Sequence, residues 1–245
     1  MTIENKVVAV TGARRGIGRA TALRLADSGA RLVLGSRNEA ELAKVAGEIE
    51  AAGGQVVFRV TDVIRRSDLE ALIELACARF GRLDVIVNNA GIGPISRFDA
   101  LRVEDWDAMI DVNLKGSLYG IAAALPVFAA QRKGHVVNVI STAGLKIVPT
   151  MGVYAATKNA LRTATEALRQ EAGRHLRVTE VSPGFIDTNF ADASITDPEV
   201  RAVILKQKEE TAISPDAIAR AIAFAIEQPD DVEIGSIVVR PTAQD

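Results

Sequence analysis

The chain has 245 residues, 48% hydrophobic and 24% charged, with a formal net charge of −2. That balance is ordinary for a soluble globular protein, and the lack of a basic excess argues against nucleic acid as a partner. A single cysteine, Cys77, excludes an internal disulfide, and with only His135 and His175 beside it no metal-ligand spacing arises.

The opening MTIENKVVAV has no long apolar stretch and no cleavage-type site, so the expectation is no signal peptide and a cytoplasmic protein. KVVAV (6–10) reads as a first strand, followed by a glycine turn and a helix from about Ile17 to Ser28. RLVLGS (31–36) is a second strand, with a helix from about Glu39 to Ala52. QVVFRV (55–60) is a third, with a helix from about Ser67 to Phe80 that carries Cys77 as a small core residue rather than a catalytic thiol. LDVIVNN (83–89) is a fourth. A long helical region follows, whose most apolar run, 119–130, is too short to span a bilayer and contains Pro126, so no membrane association is expected. HVVNVIS (135–141), RVTEVSP (177–183) and SIVVRP (236–241) complete seven strands. They are continuous apolar runs, as in a parallel sheet buried on both faces. Strands separated by helices make βαβ units and a doubly wound α/β sheet. No linker or repeat divides the chain, which reads as one domain over residues 1–245.

The first strand runs into TGARRGIGRA, with Gly12, Gly16 and Gly18 spaced G-x-x-x-G-x-G. Such glycines let the backbone turn tightly and approach a pyrophosphate, whose charge meets the free N–H groups of the next helix, here opening at Ile17. They also suit a plain strand-to-helix turn. A binder of NAD commonly has an acid at the end of the second strand, for the ribose 2′-OH. Here the stretch is Gly35-Ser36-Arg37-Asn38, with no acid before Glu39. Arg37, with Arg14 or Arg15 from the turn, suits a 2′-phosphate, because guanidinium forks pair with phosphate. NADP(H) is therefore expected over NAD(H). After the third strand come Asp62 and Val63. Asp62 is a candidate for the adenine amine or a cap for the helix that follows. Asn88-Asn89-Ala90-Gly91 end the fourth strand, where an open parallel sheet binds its ligand.

Tyr154 and Lys158 stand four residues apart in VYAATKNALRTATEALRQE, hence on one helix face. An ammonium beside a phenol favours the phenolate and lowers its pKa, so such a phenol passes protons near neutral pH. Ser141 ends the fifth strand, where its hydroxyl can meet a carbonyl oxygen. Asn113, in DAMIDVNLKG, is an amide in an apolar helical stretch, either a satisfied buried group or part of a proton path.

In this order, Thr11-Gly12-x-x-x-Gly16-x-Gly18, Asn88-Asn89-Ala90-Gly91, Asn113, Ser141, Tyr154-x-x-x-Lys158, and Pro183-Gly184 with Thr188, the motifs resemble the short-chain dehydrogenase/reductase family in its compact, single-domain branch. The resemblance spans nearly the whole chain and implies a Rossmann-type fold. It implies that Tyr154 is the general acid or base, that Ser141 holds the substrate oxygen, and that Lys158 lowers the phenol pKa and binds the nicotinamide ribose. It also implies that Asn113 helps hold a relay water, that Pro183, Gly184, Ile186 and Thr188 flank the nicotinamide, and that about 185–215 is a substrate lid. The expected activity is NADP(H)-dependent interconversion of a ketone or aldehyde with an alcohol. A non-catalytic NADP(H)-sensing module and a C=N reductase are the alternatives. The ending IVVRPTAQD departs from the V-D-G-G type end of many relatives and is similar to a subgroup of small-molecule carbonyl reductases. A homo-oligomer, a tetramer, is expected, with Ala155, Ala156, Ala160, Ala164 and Ala167 offering small residues for packing against a neighbour.

Overall fold

The branched apolar runs form the strands β1 (Val7–Thr11), β2 (Arg31–Ser36), β3 (Gln55–Val60), β4 (Val85–Asn88), β5 (Gly134–Val139), β6 (Leu176–Pro183) and β7 (Ser236–Val239) in the computed structural model, which describes residues 3–188, 190, 195 and 198–244. They pair in parallel in one sheet, in the order β3-β2-β1-β4-β5-β6-β7. The strand order reverses between β1 and β4, so a crevice opens there beyond the carboxyl ends of the strands. Successive β1 residues serve opposite faces. Val8 and Val10 pack with Leu25, Leu42 and Ile218, whereas Val7 and Ala9 pack with Leu72, Ile121 and Phe128. This is the period-2 geometry of a strand buried on both sides.

The helices are α1 (Gly16–Asp27), α2 (Glu39–Ala51), α3 (Arg66–Phe80), α4 (Val103–Met109), α5 (Gly116–Gln131), α6 (Gly152–Glu171), α7 (Pro198–Thr211) and α8 (Pro215–Glu227). Residues Ile110–Lys115 form a wide π-helical turn joining α4 to α5. The helical run Val103–Gln131 is 29 residues and holds an 18-residue stretch of mean hydropathy 1.2, long and apolar enough to cross a bilayer by length and composition. It is longer than the 119–130 stretch expected from the sequence. Its apolarity has a local cause: Ile121, Ala124 and Phe128 pack into the core formed with β4 and β5 residues.

Three strand ends differ from the sequence reading for visible reasons. β4 begins at Val85 because the Asp84 carboxylate accepts a hydrogen bond from the Val7 N–H, 2.8 Å away. It ends at Asn88 because Asn89 turns toward β1, its N–H donating to Thr11 Oγ1 at 3.0 Å. β7 ends at Val239, two residues short, as Pro241 has no N–H for a ladder.

Candidate active site

The glycine turn is held to the end of β4 by Thr11 and Asn89. Thr11 Oγ1 accepts from the Asn89 and Ala90 N–H groups at 3.0 and 3.1 Å, and Asn89 Nδ2 donates to Thr11 O at 2.9 Å. The two chain segments lie so close that glycine is required. A Cβ on Gly12, whose φ is +65°, would sit 2.9 Å from Ala90 Cα, and one on Gly18 would sit 2.4 Å from Gly12 O. Side chains here would fill the cradle that a pyrophosphate needs. The first turn of α1 has neither a capping side chain nor an acid, which leaves its N–H groups to an anion. Ile17 is half-buried against the core.

At the end of β2, Ser36 is buried and Arg37 exposed. Arg14 is paired with Glu41. Burial and the charges of Arg14 and Arg37 hold the Arg15 guanidinium below its ordinary pKa, opposed by Glu41. Arg15 thus stands within electrostatic reach of two other guanidiniums and of the Glu41 carboxylate, which Arg14 already holds. Asn38 caps α2, its side chain accepting from Glu41 N–H at 3.0 Å.

Several expected contacts are placed otherwise. Asp62 does not cap α3, which starts at Arg66. Instead the Asp68 carboxylate reaches back to the Asp62 N–H at 2.9 Å, leaving the Asp62 carboxylate with one long contact to Ile64 N–H at 3.4 Å. Val63 is buried with its side chain against Gly116, so it offers a cofactor only backbone. Asn88 turns inward, donating to Asn138 Oδ1 at 2.9 Å, and does not line the crevice.

Asn113 lies in the wide turn and is fully buried. Its Oδ1 accepts from Ile92 N–H at 2.8 Å, and its Nδ2 donates to Ile92 O at 2.9 Å and to Thr157 Oγ1 at 3.2 Å. The side chain is satisfied and clamps the segment after β4. Contact with a relay water is left to its carbonyl oxygen, which already accepts from Ser117 Oγ at 3.1 Å.

Ser141, just past β5, lies near enough to the Tyr154 phenol for its hydroxyl to favour the phenolate, and it accepts from Ala143 N–H at 3.1 Å. Tyr154 and Lys158, one turn apart on α6, face the same crevice. A Cβ on Gly91 would lie 3.5 Å from Lys158 Nζ. Lys158 is 4% exposed, its ammonium donates to Val139 O at 3.0 Å, and it lies 6.0 Å from the centre of the Tyr154 ring. Burial lowers its pKa to about 8. Burial also raises the Tyr154 phenol to about 12, opposed by the Ser141 hydroxyl. The expected lowering of the phenol by the lysine is therefore overturned for the chain alone. Desolvation outweighs it, and the ammonium is turned to a carbonyl.

On the far wall, Gly184 N–H donates to Val239 O at 2.7 Å and follows Pro183 at the end of β6. Ile186 bridges Ile213, which ties the two ends of the lid stem. Thr188 Cγ2 lies 3.2 Å from where a Cβ of Gly16 would sit, so this wall meets the glycine turn. Phe190 stacks beside Tyr154, ring centres 5.8 Å apart. Part of the expected lid, residues 189, 191–194 and 196–197, lies outside the described residues. Within the rest, α7 carries the charged KQKEE run.

Sequence reasoning missed three residues that build the site. Thr11 was quoted only as part of a motif, yet it ties two strands. Gln244 accepts from Phe185 N–H at 2.8 Å and donates to Thr142 Oγ1 at 3.4 Å, fastening the tail across the β6 exit. No pattern in the sequence marks it. Phe190, the third, is one of seven phenylalanines with nothing local to single it out.

A parallel sheet with a glycine-lined anion cradle, and a serine, tyrosine and lysine beside it, defines the oxidoreductases that work through a nicotinamide dinucleotide. The short chain dehydrogenase family model matches residues 6–199, and the chain belongs to that family. It is 45% identical to an uncharacterized oxidoreductase of Listeria monocytogenes, over 100% of this chain and 99% of that one. An alcohol dehydrogenase of the archaeon Thermococcus sibiricus, solved with 5-hydroxy-NADP, superposes with a TM-score of 0.88 at 32% identity, covering 99% of both chains. A short chain dehydrogenase/reductase of Burkholderia phymatum, solved in complex with NAD, superposes with a TM-score of 0.87 at 28% identity, over 97% of this chain and 90% of that one.

Proposed function

We propose that the protein is an NADP(H)-dependent oxidoreductase that interconverts a small ketone or aldehyde with its alcohol, with Tyr154 as general acid or base. The observation that carries this reading is the joint placement of Ser141, Tyr154 and Lys158 at the crevice mouth. The glycine cradle and bare α1 terminus fit the pyrophosphate of a dinucleotide, and Lys158 fits its nicotinamide ribose. When bound, the dinucleotide supplies or accepts the hydride. The chain supplies position and protons. The Ser141 hydroxyl orients the substrate oxygen. Tyr154, a phenol held protonated at neutral pH, gives its proton to that oxygen in reduction and takes it back in oxidation. Lys158, still largely cationic below about pH 8, stabilises the phenolate as it forms. Asn113 acts on these groups as a positioning residue, through Ile92 and Thr157.

The preference for NADP(H) rests on Arg14, Arg15 and Arg37, three guanidiniums in electrostatic reach of one another, with Glu41 paired to Arg14. A 2′-phosphate supplies the negative charge that this corner lacks. The exposed apolar side chains Ile110 and Leu118 support a homo-oligomer, a tetramer by resemblance. On α6, Ala155 is buried within the chain, whereas Ala156 and Ala167 remain exposed for a neighbour. Light scattering tests that state.

The deciding assay follows NADPH consumption over a panel of ketones, aldehydes and diketones, with Tyr154→Phe alongside. Turnover on some carbonyl, reduced roughly 10²–10⁴-fold in the variant while NADPH still binds, is the expected result. Near-wild-type turnover in the variant refutes the mechanism.

A further inference from the structure

The amino ends of the strands, at the opposite edge of the sheet from the crevice, enclose a cavity of about 180 Å³. Five basic side chains line it, Lys6, Arg132, Lys133, Arg174 and Arg177, against two carboxylates, Asp84 and Asp230. Both carboxylates are engaged. Asp84 accepts from Val7 N–H at 2.8 Å and pairs with Arg82. Asp230 pairs with Lys133.

The remaining cations form no salt bridge among the described residues; the Asp230 and Glu233 carboxylates act on Arg177 from a distance, as Asp230 and Asp84 do on Lys6. Arg177 is 8% exposed, and its guanidinium donates to the carbonyls of Ala225 and Ile226 at 3.2 Å. Lys6 donates to Ile226 O at 3.2 Å. Burial and Arg177 hold the Lys6 ammonium below its ordinary pKa, with Lys133 adding to them and Asp230 and Asp84 opposing. Arg132 Nη2 lies 3.1 Å from His175 Nε2.

His135 forms part of the wall. It is 2% exposed, its Nε2 lies 2.8 Å from Thr179 Oγ1, and its Nδ1 has no hydrogen-bond partner. Like charges gathered in a partly closed space repel one another, and the field is focused on whatever enters. The volume holds several waters, and so a tetrahedral anion with a short carbon chain.

We propose that this cavity is a binding site for the phosphate dianion, either as inorganic phosphate or as the head of a small phosphate monoester. The strands are four to eight residues long, so the site stands roughly 13–26 Å from the catalytic edge at about 3.3 Å per residue. A ligand there touches none of the groups assigned to the reaction. Two exposed arginines, Arg132 and Arg174, form its rim and supply forked donors suited to phosphate oxygens.

Both of the chain's histidines line this cavity, so their imidazole NMR signals report on it alone and not on the arginine corner of the crevice. Inorganic phosphate and glycerol 2-phosphate are titrated separately at fixed pH and ionic strength, into wild type and the double variant Arg132→Ser, Arg174→Ser. A saturable shift of the His135 and His175 signals, weakened roughly tenfold or more in the double variant with carbonyl-dependent turnover unchanged, is the expected outcome. Response to both compounds assigns recognition to the phosphate group alone. Response only to the monoester makes a phosphorylated small molecule the occupant. Histidine signals unmoved by either compound in wild type, or equal affinities in the two proteins, overturn the proposal.

Discussion

The Lys158 ammonium donates to the carbonyl oxygen of Val139 at 3.0 Å and is buried with no carboxylate at hand among the described residues. A backbone dipole offsets only part of the cost of removing a cation from water. The ammonium is consequently easier to deprotonate than an exposed one, near pH 8 in place of 10.5.

That arrangement sets a pH dependence. Below pH 8 lysine 158 is charged in both folded and unfolded chains. Between about pH 8 and 10.5 the unfolded chain holds the proton and the folded one does not, so stability rises with pH in that window. The whole change is worth roughly 3 kcal/mol at about 1.4 kcal/mol per pKa unit. Lys158→Met removes it. Denaturant unfolding of both proteins across the window is expected to show the variant's advantage at pH 7.5 shrinking toward pH 10. A constant difference contradicts the assignment.

The phenol is predicted to stay protonated over the same range when the chain is alone. Tyr119→Phe leaves Tyr154 as the one tyrosine, since the chain has two. With the phenol raised to about 12, ultraviolet absorbance should show no phenolate step from pH 7 to 10. A step near pH 7–8 means that Lys158 activates Tyr154 without help from a bound cofactor.

The arginine corner should govern the choice of dinucleotide. Arg15→Ser with Arg37→Ser removes two charge-assisted donors and leaves Arg14 with Glu41. The expected effect is a loss of roughly 10–100-fold in kcat/KM with NADPH and little change with NADH. Initial-rate comparison of the two coenzymes measures it. Equal losses with both coenzymes place the effect elsewhere than on a 2′-phosphate.

Asn113→Ala should act on stability as well as on rate. It strips partners from Ile92 N–H, Ile92 O and Thr157 Oγ1 in a buried place. Thr157 Oγ1 keeps its bond to Tyr154 O, so the two Ile92 groups are left unsatisfied, and at about 1–3 kcal/mol each a loss of about 2–6 kcal/mol in unfolding free energy is expected. The turnover number should fall more than the KM for the carbonyl rises. Asn113→Asp keeps the acceptor for Ile92 N–H and is expected to recover part of both losses.

Much of the fold was written locally. Continuous Val, Ile and Leu runs marked the seven strands to within two residues, because a strand buried on both faces must be apolar along its whole length. Gly12 and Gly18 announced a close backbone approach, since side chains are excluded there. Tyr154 and Lys158 shared a face by helical spacing alone. These features depend on a residue and its near neighbours, which a sequence displays directly.

What the tertiary structure decided depends on groups far apart in the chain. The sequence placed Lys158 beside Tyr154 but not the Val139 carbonyl that turns the ammonium aside, nor the burial that moves the two pKa values in opposite directions. It left Asn113 without the Ile92 backbone that its side chain clamps. It grouped Arg14, Arg15 and Arg37 but not the Glu41 carboxylate that takes up Arg14, and it showed Gln244 without the β6 exit that it fastens. The basic cavity at the amino edge draws Lys6, Arg132 and Arg177 from three distant segments, and no local pattern joins them. Desolvation and long-range pairing are properties of the folded surroundings, so they become visible only when the sheet brings those segments together.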